Sequence, residues 1–260
     1  MQRVIAVVNQ KGGVGKTTTV INLGAALAAY DQRVLAVDLD PQSNCTRGLG
    51  INVAALSSYE VLEGAALVSA AVVASAFPGL DVLPATPDLV GAEVELLEDK
   101  NPGGRLRQAL AADPTPHNWV LIDCPPSLGL LTVNALCAAD AVLVPVQCEY
   151  FALEGVRELM KTVDRVRGVW NPELAVEGFL LTLHDDRLSL AQQVVAEMRR
   201  FFGEAVFTTV IPRNVRLAEA PSFGRTILEY DIRSRGAQAY LELAKELLVR
   251  RDEHEAVCAG

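Results

Sequence analysis

Apolar and polar positions alternate along this chain on two different periods. Short runs rich in β-branched residues occupy positions 3–8, 33–37, 80–83, 119–122, 141–146, 176–183 and 206–211, and longer segments with helical spacing of apolar residues follow them. The runs are too uniformly apolar to leave one face in water, so they read as strands buried on both sides. Their alternation with helices predicts an α/β architecture: one domain, with a mostly parallel twisted sheet and helices on both faces. The helix after the first run is expected to begin near Gly15, to carry Val20-Ile21-Asn22-Leu23-Gly24-Ala25-Ala26-Leu27 across the sheet, and to end before Asp31. Positions 53–76, rich in alanine and poor in charge, predict one or two short helices on the rim without assigned chemistry. Asn101-Pro102-Gly103-Gly104 and Asp113-Pro114-Thr115-Pro116 read as turns within the domain. The domain is expected to span 1–250, with 251–260 a frayed polar tail.

At 260 residues, half of them hydrophobic, the chain can bury a core of this size. No apolar stretch reaches the roughly 18 to 20 residues that would span a bilayer, and Met1-Gln2-Arg3 leads directly into a strand-like run rather than a secretion signal, so a cytoplasmic location is expected. The five cysteines (Cys45, Cys124, Cys137, Cys148, Cys258) are scattered, odd in number and lack metal-site or disulfide spacing, so they are expected to be small buried or incidental residues. The net charge of −9, from 32 acidic and 23 basic residues, argues against generic attraction to nucleic acid and confines any DNA contact to a local basic patch.

Where the first strand ends, the chain reads Lys11-Gly12-Gly13-Val14-Gly15-Lys16-Thr17-Thr18. This nearly meets the phosphate-loop pattern G-x-x-x-x-G-K-[ST], except that Gln10 stands where the first glycine would be. Glycines are required because backbone N–H groups must converge on phosphate oxygens where a Cβ would intrude. Lys16 would place its charge between the β- and γ-phosphates of ATP, Thr17 would offer its hydroxyl to Mg²⁺, and the helix N-terminus would add its dipole. Asp123 ends the run 119–122, where a carboxylate can hold Mg²⁺ directly or through water. Asp38 and Asp40 end the second strand. Asp40, further past the strand end, is preferred for the attacking water and the Mg²⁺ shell, whereas Asp38 is open to both a structural and a functional reading.

Together with Asp38-Leu39-Asp40-Pro41-Gln42, Ile122-Asp123-Cys124-Pro125-Pro126-Ser127, Pro145-Val146-Gln147-Cys148-Glu149-Tyr150 and Ile211-Pro212-Arg213-Asn214-Val215-Arg216, the loop closely resembles the ParA/Soj chromosome- and plasmid-partition ATPases, from about residue 3 to 248. The loop alone marks the wider deviant-Walker group, which includes the MinD division-site ATPases and the nitrogenase iron protein; the later motifs narrow it. The resemblance implies a P-loop ATPase domain using ATP/ADP and Mg²⁺, with Lys11 reaching across a homodimer interface to the partner's phosphates. It also implies an adenine pocket lined by Pro212 and Asn214, and Glu149 near the dimer face. Non-specific double-stranded DNA would be held by Arg187 and Arg216, with Arg213, Arg225, Arg233, Arg235 and positions 161–167 as candidate extensions. A ParB-type partner would stimulate slow hydrolysis, and the protein would associate with the nucleoid.

No helix-turn-helix precedes the first strand, so sequence-specific operator binding is not expected. The alternative is a MinD-like membrane-associated switch, which calls for a C-terminal amphipathic helix with a basic face; the acidic ending from Val249 lacks bulky anchors, so no membrane partner is expected. An iron-protein role would need a cysteine placed to hold a cluster at the dimer axis, and no cysteine has that context.

Overall fold

The computed structural model describes residues 2–52, 55–113, 115–149 and 152–258, with side chains to Asp252. Expectations that fell on Met1, Val53, Pro114, Tyr150 and the side chain of Cys258 lie outside the described residues. Seven strands, β1 (Arg3–Val7), β2 (Val34–Asp38), β3 (Val73–Ala74), β4 (Leu80–Leu83), β5 (Trp119–Asp123), β6 (Ala141–Gln147) and β7 (Ala175–Thr182), form one sheet in the order β3-β4-β2-β5-β1-β6-β7. All neighbours pair in parallel except β3 with β4.

Strand residues alternate between two cores, as the strand period of two requires. Ala6, Leu35, Val37, Val120 and Ile122 face one layer, against the helices Arg105–Ala112, Leu130–Ala138 and Ala152–Val169. Ile5, Val7, Val34, Ala36 and Leu121 face the other, against α1 (Lys16–Ala29) and the C-terminal helix Arg235–Cys258. The expected α/β sheet covered on both faces is therefore present, and α1 ends within two residues of the expected Asp31 boundary.

Two local expectations are corrected and one is extended. The rim segment contains the short helices Ser58–Glu63 and Val68–Ala71, but it also contributes β3, too short to show a strand period. The run 206–211 does not form a strand. Phe207 and Ile211 donate to the carbonyls of Phe179 and Leu181 at 3.0 and 2.8 Å, while the N–H groups of Thr208 and Thr209 turn to the Glu246 carboxylate at 2.8 and 2.9 Å. Of these two donors Thr209 N–H is the one in phase with Phe207 and Ile211, so Glu246 takes a donor that a ladder would need and arches the segment away from β7. Finally, the C-terminal helix carries its backbone to Cys258, through most of the expected frayed tail.

The pairing of β6 with β7 shifts register between Val142 and Leu143, opposite Gly178. A Cβ on Gly178 would lie 2.7 Å from Cε2 of Phe207 and 2.8 Å from the Ala205 carbonyl, so the arched segment rests directly on this glycine. Gly178→Ala is expected to cost about 1–3 kcal/mol of stability by overpacking, read by chemical denaturation. Gly155→Ala, in the helix Ala152–Val169 with nothing within 4 Å of its Cβ, serves as the control and should be neutral or stabilising by about 0.5–1 kcal/mol.

Candidate functional site

Because β1, β2 and β5 are adjacent and parallel, their carboxyl ends deliver the glycine loop, Asp38 and Asp123 to one edge of the sheet. The loop leaves β1 and turns into α1 with Gly13 and Gly15 at φ +75° and +91°, conformations that side chains rarely adopt. Cβ atoms built on Gly12 or Gly13 would meet nothing within 4 Å and would fill the open cradle. Gly15 precedes Lys16 without a side-chain cap, and the first turn of α1 holds no acidic residue. Its first N–H groups are thus left for an anion, with the helix dipole favouring negative charge.

A cavity of about 520 Å³ opens here, lined by Gly12, Gly13, Gly15, Lys16, Thr17, Thr18, Asp40, Pro212 and Asn214. Lys16 is buried, and that burial lowers its pKa against the opposing pull of Asp123 and Asp40; its Nζ donates to the Lys11 carbonyl at 3.3 Å. Val14 is buried beneath the loop. Asn214 lies at the far wall with its side-chain oxygen accepting from Arg216 N–H at 2.8 Å, which caps the helix Val215–Glu219. The structure brings the expected phosphate and adenine residues to one cavity, although they are about 200 positions apart in the chain.

The carboxylates divide the work. Asp38 is fully buried and accepts from Thr46 N–H at 2.9 Å, Thr46 Oγ1 at 2.7 Å and Asp40 N–H at 3.1 Å. Burial nevertheless pushes its pKa up to about 6, against those hydrogen bonds. Its contacts are those of a residue holding the turn that carries Asp40, and it does not line the cavity, whereas Asp40 does. Asp40 in turn accepts from Gln42 N–H at 2.9 Å. Asp123 stands in register with Asp38 on the next strand, and neither of its buried carboxylate oxygens has a hydrogen-bond partner. Burial, then the charge of Asp38, raises its pKa well above the carboxylate range, against the pull of the Thr17 hydroxyl and Lys16.

An orphaned buried carboxylate beside Thr17 and Asp40 fits a divalent cation. Among the described residues, no group of three or more His, Cys, Asp or Glu side chains could enclose a metal alone. A cation would therefore share its ligands with phosphate oxygens, as Mg²⁺ commonly does.

Five expected residues do not line the cavity: Val14 and Asp123 are buried, and Lys11, Arg187 and Arg216 are exposed. Lys11 is half exposed, and its Nζ pairs with Glu149, which also accepts from Gln147. Arg187 is 87% exposed and forks onto Asp185 at 2.8 and 2.7 Å, holding that carboxyl well below its ordinary range. Arg216 pairs with Glu219 at 3.0 Å and lies 3.8 Å from Asp231. Cys45, Cys124, Cys137 and Cys148 are free and buried, in line with their reading as small core residues. Sequence reasoning missed Thr182, Leu183, Leu217 and Tyr240 in the cavity wall. Only the polar Thr182, at the end of the apolar stretch Phe179-Leu180-Leu181, could have signalled its place.

The family model described as an AAA domain matches residues 2–176. The chain is 54% identical to the chromosome partitioning protein ParA of Caulobacter vibrioides, over 99% of this chain and 98% of that one. It is 53% identical to the sporulation initiation inhibitor protein Soj of Bacillus subtilis, over 95% and 98%, and 54% identical to the chromosome-partitioning ATPase Soj of Thermus thermophilus, over 96% and 97%. Among solved structures, a Mycobacterium smegmatis protein named cobyrinic acid a,c-diamide synthase, with bound ADP and magnesium, superposes with a TM-score of 0.84 at 42% identity, over 95% of this chain and 94% of that one. The septum site-determining protein MinD of Pyrococcus horikoshii, complexed with Mg-ADP, gives 0.78 at 26%, over 95% and 96%.

Replacing Asp123 by Asn removes one of two facing buried carboxylates. Asp123→Asn is expected to stabilise the ligand-free fold by about 1 kcal/mol, raising the thermal midpoint by roughly 2–4 °C. The same change should erase the further rise that Mg²⁺ with ADP produces in the wild type. A lowered ligand-free midpoint in scanning calorimetry would contradict this account of the site.

Proposed function

The chain belongs to the ParA/Soj family of chromosome-partitioning P-loop ATPases, and from that membership we propose that it is a DNA-segregation switch: an ATP-bound homodimer that holds DNA without sequence preference and releases it after slow hydrolysis. The observation that carries the reading is the division of the two loop lysines. Lys16 is buried in the wall of its own cavity, while Lys11, five residues earlier, faces solvent on Glu149. A cation kept outside its own site is available to another subunit's phosphates, which would make ATP part of the interface.

In this cycle the uncapped start of α1 and Lys16 hold the phosphates, and Pro212 and Asn214 hold the adenine. Bound Mg²⁺ would neutralise phosphate charge, with Thr17, Asp40 and Asp123 holding it directly or through water. Asp40 orients the attacking water, and Lys11 exchanges Glu149 for the second subunit's phosphates. Arg187 and Arg216 each exchange a carboxylate for a DNA phosphate, a contact that carries no base information. The ADP and magnesium of the M. smegmatis neighbour support the choice of nucleotide and metal. A ParB-type partner that stimulates hydrolysis and a nucleoid-associated, cytoplasmic location complete the proposal. No helix among the described residues is long and apolar enough to cross a membrane.

The first test is binding to non-specific duplex DNA without nucleotide, with ADP and with ATP, at two salt concentrations, alongside sedimentation. Retention only with ATP, weakening with salt, is expected together with dimerisation. Dimerisation without DNA binding, or flotation with ATP-loaded liposomes, would favour the MinD-like membrane switch instead. Lys16→Ala should abolish nucleotide binding or closure.

The double variant Arg187→Glu, Arg216→Glu should keep the ATP dimer and lose DNA by at least about tenfold, since two phosphate contacts per subunit become repulsions. Undiminished retention would move the DNA surface elsewhere.

A further inference from the structure

Thr182 is the last residue of β7, the edge strand of the sheet, and lies 168 positions from the loop that it touches. Its buried hydroxyl donates to the Val14 carbonyl at 2.8 Å. The helical ladder of α1 begins one residue later, with Thr19 N–H bonding Gly15 O at 2.9 Å, so the Val14 oxygen stands outside it. In a planar trans peptide the C=O and N–H point in opposite directions. Holding the Val14 oxygen therefore fixes the direction of the Gly15 N–H, and a flip of this one peptide would exchange a donor for an acceptor at the phosphate cradle. Gly15, with positive φ and no Cβ, offers little resistance of its own to such a flip.

Thr182 is itself held firmly. It pairs with Gln147 of β6, and its carbonyl accepts from Cys148 N–H at 3.3 Å. The next residue, Leu183, has φ +53°, which a branched side chain seldom adopts. That backbone persists because His184 N–H bonds the Ile211 carbonyl at 3.1 Å and Arg213 N–H bonds the His184 carbonyl at 2.8 Å. The strained turn lets one strand end serve both the phosphate loop and the wall carrying Pro212.

We infer that Thr182 is a positioning residue for phosphate binding: its hydroxyl locks the Val14–Gly15 peptide so that the Gly15 N–H, not the Val14 oxygen, meets the phosphates. The inference rests on the nucleotide reading above, so wild-type binding of ADP with Mg²⁺ is the first arm of the test, and its absence would sink that reading itself. Given that binding, Thr182→Val keeps the side-chain volume and removes the donor. Its affinity for ADP with Mg²⁺ should fall about tenfold by titration calorimetry, while the adenosine signal read by ligand-observed NMR should match that of the wild type. Thr182→Ser should restore ADP affinity. If Thr182→Val does not fold, Thr182→Ala against Thr182→Ser makes the same comparison. Wild-type ADP affinity in the valine variant, an equal loss for ADP and adenosine, or failure of serine to restore binding would each overturn the inference.

Discussion

Asp38 and Asp123 stand in register on adjacent parallel strands, both buried, and the carboxyl edge of the sheet is arranged around the cost of removing these two carboxylates from water. Asp38 is tolerated because two backbone N–H groups and the Thr46 hydroxyl donate to it, which in turn fixes the turn carrying Asp40. Asp123 accepts from no backbone N–H, and only the Thr17 hydroxyl and the charge of Lys16 favour its ionised form. Lys16 itself is buried and less basic than usual. The site is thus assembled from groups that are each poorly satisfied alone and that a phosphate with a divalent cation would satisfy together.

Much of this was legible from residue order. The buried parallel strands showed as continuous apolar runs, and the glycine loop, Asp40 and Asp123 fell where those runs stop. What was hidden depended on contacts between distant residues. The run 206–211 has the composition of a strand, yet Glu246 removes the Thr209 donor from the ladder, and nothing local announces that competitor. β3 is only two residues long and owes its existence to β4. Asp38, open to two readings in sequence, is resolved only by Thr46 eight residues later.

The basic residues follow a common rule. Lys11, Arg187 and Arg216 are each exposed, and each rests on a carboxylate of its own chain. With a net charge of −9, a ready supply of internal anions keeps these cations from acting as a standing attraction for polyanions. Exposed pairs of this kind contribute little stability, so exchanging the partner carries a low thermodynamic cost.

The C-terminal helix has a further consequence for how the cavity is completed. Tyr240 lies 3.2 Å from the Thr19 hydroxyl in the first turns of α1, and Glu246 holds the segment that leads to Pro212. The loop and α1 lie near one end of the described chain, and two of the contacts that shape the cavity come from a helix more than 200 positions away. A ligand that fills the completed cavity therefore also stabilises the docking of that helix on α1, so that occupancy and local opening of the helix are linked equilibria.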